Sequence, residues 1–412
     1  MILKNKLFFG CIIILCLIFP SSYFASEVDY SNDTILSNLE VSALPTTINS
    51  KSAIILERST GTILFGKNEN DIRKMASTTK IMTAIVVLEN VDNLSEIVIV
   101  SKKAASIGGS RLGLSFNSKV TVKDLLYGLL LCSGNDAAIA LAEFIAENVE
   151  NFANLMNQKA LALGLINTRF VTPHGLDNDN HYTTAYELAL LTRYALENEI
   201  FSEIVSTKSY SVSINGTPKN INNTNELLGH LDGIYGVKTG FTNGANRCLV
   251  TSCKRGDLDI ICIVLGADTK KFRTQDSINL IEYAFSNFEM VDINSIIQKV
   301  FSEWQSQSTF CINKGISNNI ETTLEPFPFS KYPVSKANIE NIITNISCSY
   351  SFEAPVPNKT TIGQLNCYIA DSKICSLNIY STNTISKKSP IFYFYFFVKN
   401  YVSNLENIFI QN

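Results

Sequence analysis

The sequence predicts an α/β region followed by a small all-β domain, and three observations carry that prediction. Between residues 52 and 288, stretches with helical apolar spacing alternate with β-prone runs. Among those runs, Arg247–Cys253 and Leu258–Gly266 form an apolar hairpin that turns at "KRGD". Beyond residue 290, helical periods become few, and short β-prone runs lie between Asn, Ser and Pro. A chain of 412 residues buries a large core and divides into more than one domain. With 46% hydrophobic and 17% charged residues the composition is that of a globular protein, and a net charge of −3 gives no electrostatic basis for binding nucleic acid.

Taken in order, the chain opens with Lys4 and Lys6 ahead of an apolar run of 13 residues, Leu7 to Phe19. A membrane span needs roughly 20 residues, so the run reads as the core of a signal peptide over residues 1–25, and the rest of the chain as exported. The alternative is an uncleaved N-terminal anchor. Residues 26–44 are polar and rich in Ser and Asn, which predicts a linker. "SAIILERSTGTILFGKN" (52–68) predicts two strands around a Ser-Thr-Gly turn. "STTKIMTAIVVLENV" (77–91) is apolar nearly all round, which predicts a central, buried helix. Ser77 falls at its N-cap or first turn.

Residues 121–149 predict two helices broken at "SGND" (133–136), and residues 151–165 another amphipathic helix. Residues 168–198 read as a loop and then a helix, residues 235–268 as three strands, and residues 272–288 as a helix. The α/β domain then spans 45–289 and the β domain 290–386. In the tail, 387–412, Val398, Tyr401, Val402, Leu405, Ile408 and Phe409 form one helical stripe with polar residues opposite. The tail is too short and too polar at its end to span a bilayer, and it is expected to lie in a membrane surface. A terminal helix packed on its own domain is the alternative.

Ten cysteines are many. Cys11 and Cys16 fall in the signal, and the other eight show neither a CxxC pair nor metal-ligand spacing. Most are expected as buried thiols, with a bridge left open among Cys311, Cys348, Cys367 and Cys375. His174, His181 and His230 are the only histidines, too few to suggest a zinc site. No cofactor is expected.

Chemistry enters at "KMASTTKIMTA" (74–84). Ser77 and Lys80 are three apart, so a helical backbone makes their side chains neighbours. A serine hydroxyl is a poor nucleophile until a base takes its proton. A lysine serves as that base only when neutral, and burial beside a second cation lowers its pKa from about 10.4. Two further elements follow, "SGN" with Ser133 and Asn135 in an interhelical break, and "KTG" with Lys238, Thr239 and Gly240 at a strand. They lie 56 and then 105 residues further on, in the order and contexts of the Ser-x-x-Lys, Ser-x-Asn and Lys-Thr-Gly set.

With these motifs the chain resembles the low-molecular-mass penicillin-binding proteins that are serine-type D-alanyl-D-alanine carboxypeptidases. "ASTTKIMTA", "LLLCSGNDAAIALAE", "TRFVTPHGL", "NNTNELL", "GVKTGFTNGANRCLV" and "KRGDLDIICIVLGA" carry the resemblance, which runs from about Pro45 to the 280s. It implies a β-lactamase/transpeptidase-like fold, an antiparallel sheet flanked by helices plus a helical subdomain. It implies a peptidoglycan stem peptide ending in D-Ala-D-Ala as substrate, β-lactams as ligands, and the outer face of the cytoplasmic membrane as location. Ser77 would attack the carbonyl between the two D-alanines and Lys80 would take its proton. Ser133, assisted by Lys238, would pass a proton to the leaving amine, and Asn135 would orient Lys80 and bond the substrate amide. Lys238, Thr239 and Arg273 would meet the terminal carboxylate. Backbone N–H groups of Ser77 and Phe241 would form the oxyanion hole, and Gly240 would let the substrate backbone approach the strand edge.

The chain departs from the family pattern in "SGN", where Ser-Asp-Asn is usual, and at Asn246, where Gly is frequent. His174 and His181 are expected to be structural. A β-lactamase is the first alternative, but it needs a deacylating base, and Glu187 in "YELALL" reads as a helix interior. A non-catalytic penicillin-recognising module is the second, against which the intact motif set argues. Endopeptidase action on cross-linked peptides remains compatible with the motifs.

Overall fold

Strands β1 (Ser52–Glu57) and β2 (Ile63–Lys67) pair as a hairpin. Three later strands, β3 (Ile234–Thr242), β4 (Asn246–Arg255) and β5 (Leu258–Ala267), complete an antiparallel sheet of order β2-β1-β5-β4-β3. All six residues of β1 are buried, although successive side chains point to opposite faces. Both faces of the sheet centre are therefore covered, which explains why β1 and β5 read as unbroken apolar runs. β3, which carries the Lys-Thr-Gly residues, is an edge strand. The computed structural model describes residues 47–410, so the expected signal and linker lie outside the described residues.

The helical half is built around α1 (Lys80–Asn90), buried from Lys80 through Val87. Around it pack α2 (Val122–Leu130), α3 (Asn135–Ala146), α4 (Val149–Ala162) and α5 (Ala185–Ala195). The last three strands are followed by α6 (Lys270–Asn287), which lies against β4 and β5. Most helix starts are capped by the side chains their sequences offer, Thr121 for α2, Asn148 for α4, Thr184 for α5 and Thr269 for α6. The start of α1 differs. It is entered through a 3₁₀ turn, Ala76–Thr79, its N-cap is Thr79, and no side chain caps it. Ser77 sits in that turn rather than at the N-cap, so its hydroxyl is not consumed in holding the helix.

A second apolar cluster lies beyond residue 290. Its sheet has four strands, β6 (Thr322–Leu324), β7 (Ile342–Cys348), β8 (Thr361–Ile369) and β9 (Ser372–Ser381), in the order β6-β9-β8-β7. The sheet is joined by α7 (Ile293–Gln307), a helix the sequence reading did not place. Ile293, Ile297 and Phe301 of α7 pack with Leu365 and Ile379 of the sheet. The short strand Phe288–Val291 pairs with Tyr332–Ser335, and Lys331 reaches Asp257 at 2.7 Å, tying this region to the main sheet. The chain closes with α8 (Pro390–Ile410). Every residue from Ile391 to Ser403 is exposed, so this part of the tail is not packed on its own domain. Among the described residues, no helix is long and apolar enough to cross a membrane.

One buried carboxylate organises the approach to α3. Asp136 is fully buried and accepts from the backbone N–H groups of Leu112, Gly113 and Leu114 at 2.7, 2.7 and 2.9 Å. Removing it strands three donors, and hydrogen bonds to a charged group contribute about 1.5–3 kcal/mol each. Asp136→Ala should therefore lower stability by at least about 3 kcal/mol. Urea unfolding followed by circular dichroism tests this, and an unchanged midpoint would remove Asp136 from the account.

Candidate active site

Lys80 is completely buried, and its Nζ makes three contacts: Ser77 Oγ at 2.9 Å, Asn135 Oδ1 at 2.8 Å and the His174 carbonyl oxygen at 2.8 Å. Burial lowers its pKa well below the ordinary lysine value, and the charge of nearby Lys238 lowers it further. A neutral amine has two N–H groups and one lone pair. Two of the three contacts are carbonyl oxygens, which only accept. They take both N–H groups, and the lone pair is left for the Ser77 hydroxyl proton. That is the geometry of a nucleophile with its base.

Each partner of Lys80 is itself held. Asn135 is the first residue of α3, and its Nδ2 donates to the Gly108 carbonyl at 2.8 Å, which leaves Oδ1 facing the lysine. His174 is presented by a turn in which Gly175 has φ +84°. A Cβ there would lie 1.9 Å from the Ala76 carbonyl oxygen, so only glycine lets this turn close on the one bearing Ser77. Thr83 Oγ1 anchors the same segment through the Pro173 carbonyl at 2.6 Å.

Both histidine rings, those of His174 and His181, are hydrogen-bonded within the fold. His181 Nε2 meets Thr79 Oγ1 at 2.7 Å and its Nδ1 accepts from Val171 N–H. His174 Nδ1 accepts from Leu176 N–H at 3.1 Å. Burial holds their pKa values down to about 3 for His174 and about 4 for His181, so both rings are neutral at physiological pH.

Lys238 is buried in β3, donates to the Thr239 carbonyl at 3.0 Å, and is pushed down to about 7 by burial. Thr239 Oγ1 lies 2.7 Å from Thr224 Oγ1. Ser133 is buried in the α2–α3 break with φ +61°, and its hydroxyl has no protein partner among the described residues. Cys132 beside it is half-buried and close enough to act electrostatically on both lysines.

At Gly240 the fold itself adds a constraint. A Cβ there would come 3.2 Å from Ala76 Cβ, Met75 O and Ser77 N. The turn bearing Ser77 therefore lies close against the strand edge. Phe241 is exposed, with the Arg247 guanidinium 3.7 Å from its ring centre. Arg273 is buried in an ion pair with Glu226, whose carboxylate also accepts from Thr274 Oγ1 at 2.5 Å. Burial pushes Glu226 up, but Arg273 and Thr274 outweigh it and hold the carboxyl below its ordinary value.

Sequence reasoning missed Glu226, Thr224 and the His174 carbonyl. The first two lie in the quoted "NNTNELL", but no spacing rule assigns them a partner. Glu187 belongs to the first turn of α5 rather than its interior. Its carboxylate is occupied by Asn167 N–H at 2.8 Å and Thr168 Oγ1 at 2.5 Å.

Comparison with known proteins addresses the whole constellation. Residues 39–269 match the family model of the D-alanyl-D-alanine carboxypeptidases. The chain belongs to that family. It is 35% identical over 320 residues to the D-alanyl-D-alanine carboxypeptidase DacF of Bacillus subtilis, covering 76% of this chain and 80% of the relative. It is 31% identical over 371 residues to DacD of Escherichia coli, covering 85% and 91%. Among solved structures, the carboxypeptidase DacD of Francisella tularensis superposes with a TM-score of 0.69 at 26% identity, covering 88% of this chain and all of that one. The protein is thus a serine hydrolase of the D-alanyl-D-alanine carboxypeptidase class, with a penicillin-binding-protein fold.

The buried lysines carry a stability cost whose sign can be worked out. An unfolded chain takes up the Lys238 proton below about pH 10.4, whereas the folded protein resists it until about 7. Stability from this group therefore falls as pH drops through that interval, and the whole penalty is present below pH 7. Lys238→Met, close in volume and uncharged, should raise the melting temperature at pH 7 and lose most of that advantage at pH 10. Differential scanning calorimetry at the two pH values checks this, and a variant melting lower at pH 7 would contradict it.

Proposed function

We propose that this carboxypeptidase works through an acyl-enzyme on Ser77 and that penicillin traps it in that form. The observation that supports the reading best is the three-way contact of Lys80, which leaves its lone pair to the Ser77 hydroxyl. In the proposed cycle, the terminal carboxylate of a stem peptide ending in D-Ala-D-Ala docks against Lys238, Thr239 and Arg273. Lys80 takes the Ser77 proton as Oγ attacks the penultimate D-alanine carbonyl. The backbone N–H groups of Ser77 and Phe241 receive the developing oxyanion, beside Gly240. Such a donor is worth about 10²–10³ in rate.

The proton taken by Lys80 then passes through Ser133, with Lys238 assisting, to the departing D-alanine amine, which returns Lys80 to its neutral form, and Asn135 bonds the substrate amide. The unpartnered Ser133 hydroxyl suits that relay. Water, deprotonated by Lys80, releases the shortened peptide. A β-lactam ring opens by the same attack, but its leaving group stays tethered. The occupied carboxylate of Glu187 weighs against rapid deacylation of the β-lactamase kind.

The reading extends to location. The basic residues and apolar run at the N-terminus support export. The exposed aromatic segment Ile391–Val398 supports attachment of α8 to the outer face of the cytoplasmic membrane. The two apolar clusters support a division into a catalytic domain (45–289), a small domain (290–386) and the tail (387–412).

Ser77→Ala should abolish covalent penicillin labelling and lower D-alanine release from diacetyl-lysyl-D-alanyl-D-alanine by roughly 10⁴-fold or more. Retained labelling would place the nucleophile elsewhere. Deleting residues 391–412 should move the protein from membrane pellets to the soluble fraction with D-alanine release intact. A truncated protein that still sediments would take the anchor away from α8.

A further inference from the structure

Two thiols of the second core sit on directly opposed residues. In the hairpin of β8 and β9, Cys367 faces Cys375 across the ladder. Opposed residues of an antiparallel pair share a face, with Cβ atoms about 4.5–5.5 Å apart and Cα atoms about 4.5 or 5.5 Å apart. A disulfide takes Cα separations of about 4.4–6.8 Å and slightly closer Cβ atoms. The ladder register steps immediately beside the pair, between Cys367 and Tyr368. A bulge loosens the pairing there and gives the backbone room for the small approach required. Both side chains belong to one apolar cluster, Cys367 fully buried and Cys375 half-buried against it.

The other thiols among the described residues are not so placed. Cys348 is opposite Gly363, four residues along β8 from Cys367, about 13 Å away. Cys253 is opposite Ile260 and Cys262 opposite Thr251, which makes them diagonal neighbours. Their sulfurs are directed elsewhere, to the carbonyl oxygens of Asp232 and Ser277. Cys311 lies in a separate two-stranded sheet and is exposed.

We propose that Cys367 and Cys375 form a redox-active dithiol that closes to a cross-strand disulfide when the protein meets a small-molecule disulfide. Accessibility sets the order of events. Cys375, the half-exposed partner, loses its proton and attacks one sulfur of the oxidant, and one thiolate leaves. Cys367 then loses its proton and attacks Cys375 Sγ, expelling the second thiolate. The two cysteines give up two protons and two electrons, and the oxidant is reduced to two thiols. Burial pushes both thiols up, Cys367 to about 11, so the closure is slow at neutral pH and faster in alkali. The bond staples the hairpin at the centre of the small domain, just ahead of the segment leading to α8. The proposal does not depend on the acyl-enzyme mechanism.

The test uses the full chain, oxidised glutathione as probe, and peptide mapping by mass spectrometry without reduction. Wild type should yield one linked peptide pair, Cys367 with Cys375, lighter by two hydrogens, with Cys248, Cys253 and Cys262 still alkylatable after unfolding. Cys367→Ser should instead hold a persistent glutathione adduct on Cys375, because the resolving thiol is gone. Cys375→Ser should leave Cys367 unmodified, which keeps the test alive if the first variant does not fold. A lasting adduct on wild-type Cys375, a link from either residue to Cys348 or Cys311, or both thiols intact under excess oxidant would overturn the proposal.

Discussion

Two carbonyl oxygens determine the chemistry available at Lys80. Asn135 Oδ1 and the His174 carbonyl occupy every N–H a neutral amine owns, so the remaining lone pair has one direction left to it. Much of the surrounding structure serves to bring those two oxygens to one point. The Asp136 carboxylate pins the 112–114 backbone beside the start of α3, and the Gly108 carbonyl orients the Asn135 amide. Gly175 lets the His174 segment close on the turn bearing Ser77, and Thr83 fastens it from α1. Three chain segments, the turn bearing Ser77, the start of α3 and the His174 turn, therefore converge on a single nitrogen.

Such a site opposes the stability of the fold that holds it. Burying two lysines removes both from water, and the charge of Lys238 further discourages Lys80 from carrying one. The surrounding apolar cluster, spanning α1 to α5 and the sheet, supplies the compensating burial. The balance also explains why α1 is apolar nearly all round yet begins with a lysine. An ordinary solubility pattern would have turned that residue outward.

Much of the architecture was legible in the sequence because it rests on local rules. The β1–β2 hairpin, the helices from α1 to α3 broken at "SGN", the β3–β5 strands and α6 all announce themselves by apolar spacing and turn residues. The Ser77–Lys80 contact was legible for the same reason, since a three-residue spacing on a helix fixes a neighbour. What was hidden depends on contacts distant in sequence. The His174 oxygen is a backbone atom of a loop, the Glu226–Arg273 pair joins residues 47 apart, and the neighbours that crowd position 240 are residues 75–77. α7 was missed for another reason. Its apolar stripe, Ile293, Ile297, Phe301 and Trp304, is present, but Ser, Gln and Asn between those residues resemble the β-prone texture that follows.

The contact at Gly240 has a mechanical corollary. The edge strand lies against the turn at residues 75–77 with no side chain of its own at position 240. The spacing between the residue 77 turn and the strand backbone is thus set by direct contact of the two segments. Any side chain added at 240 would press on that turn and widen the spacing.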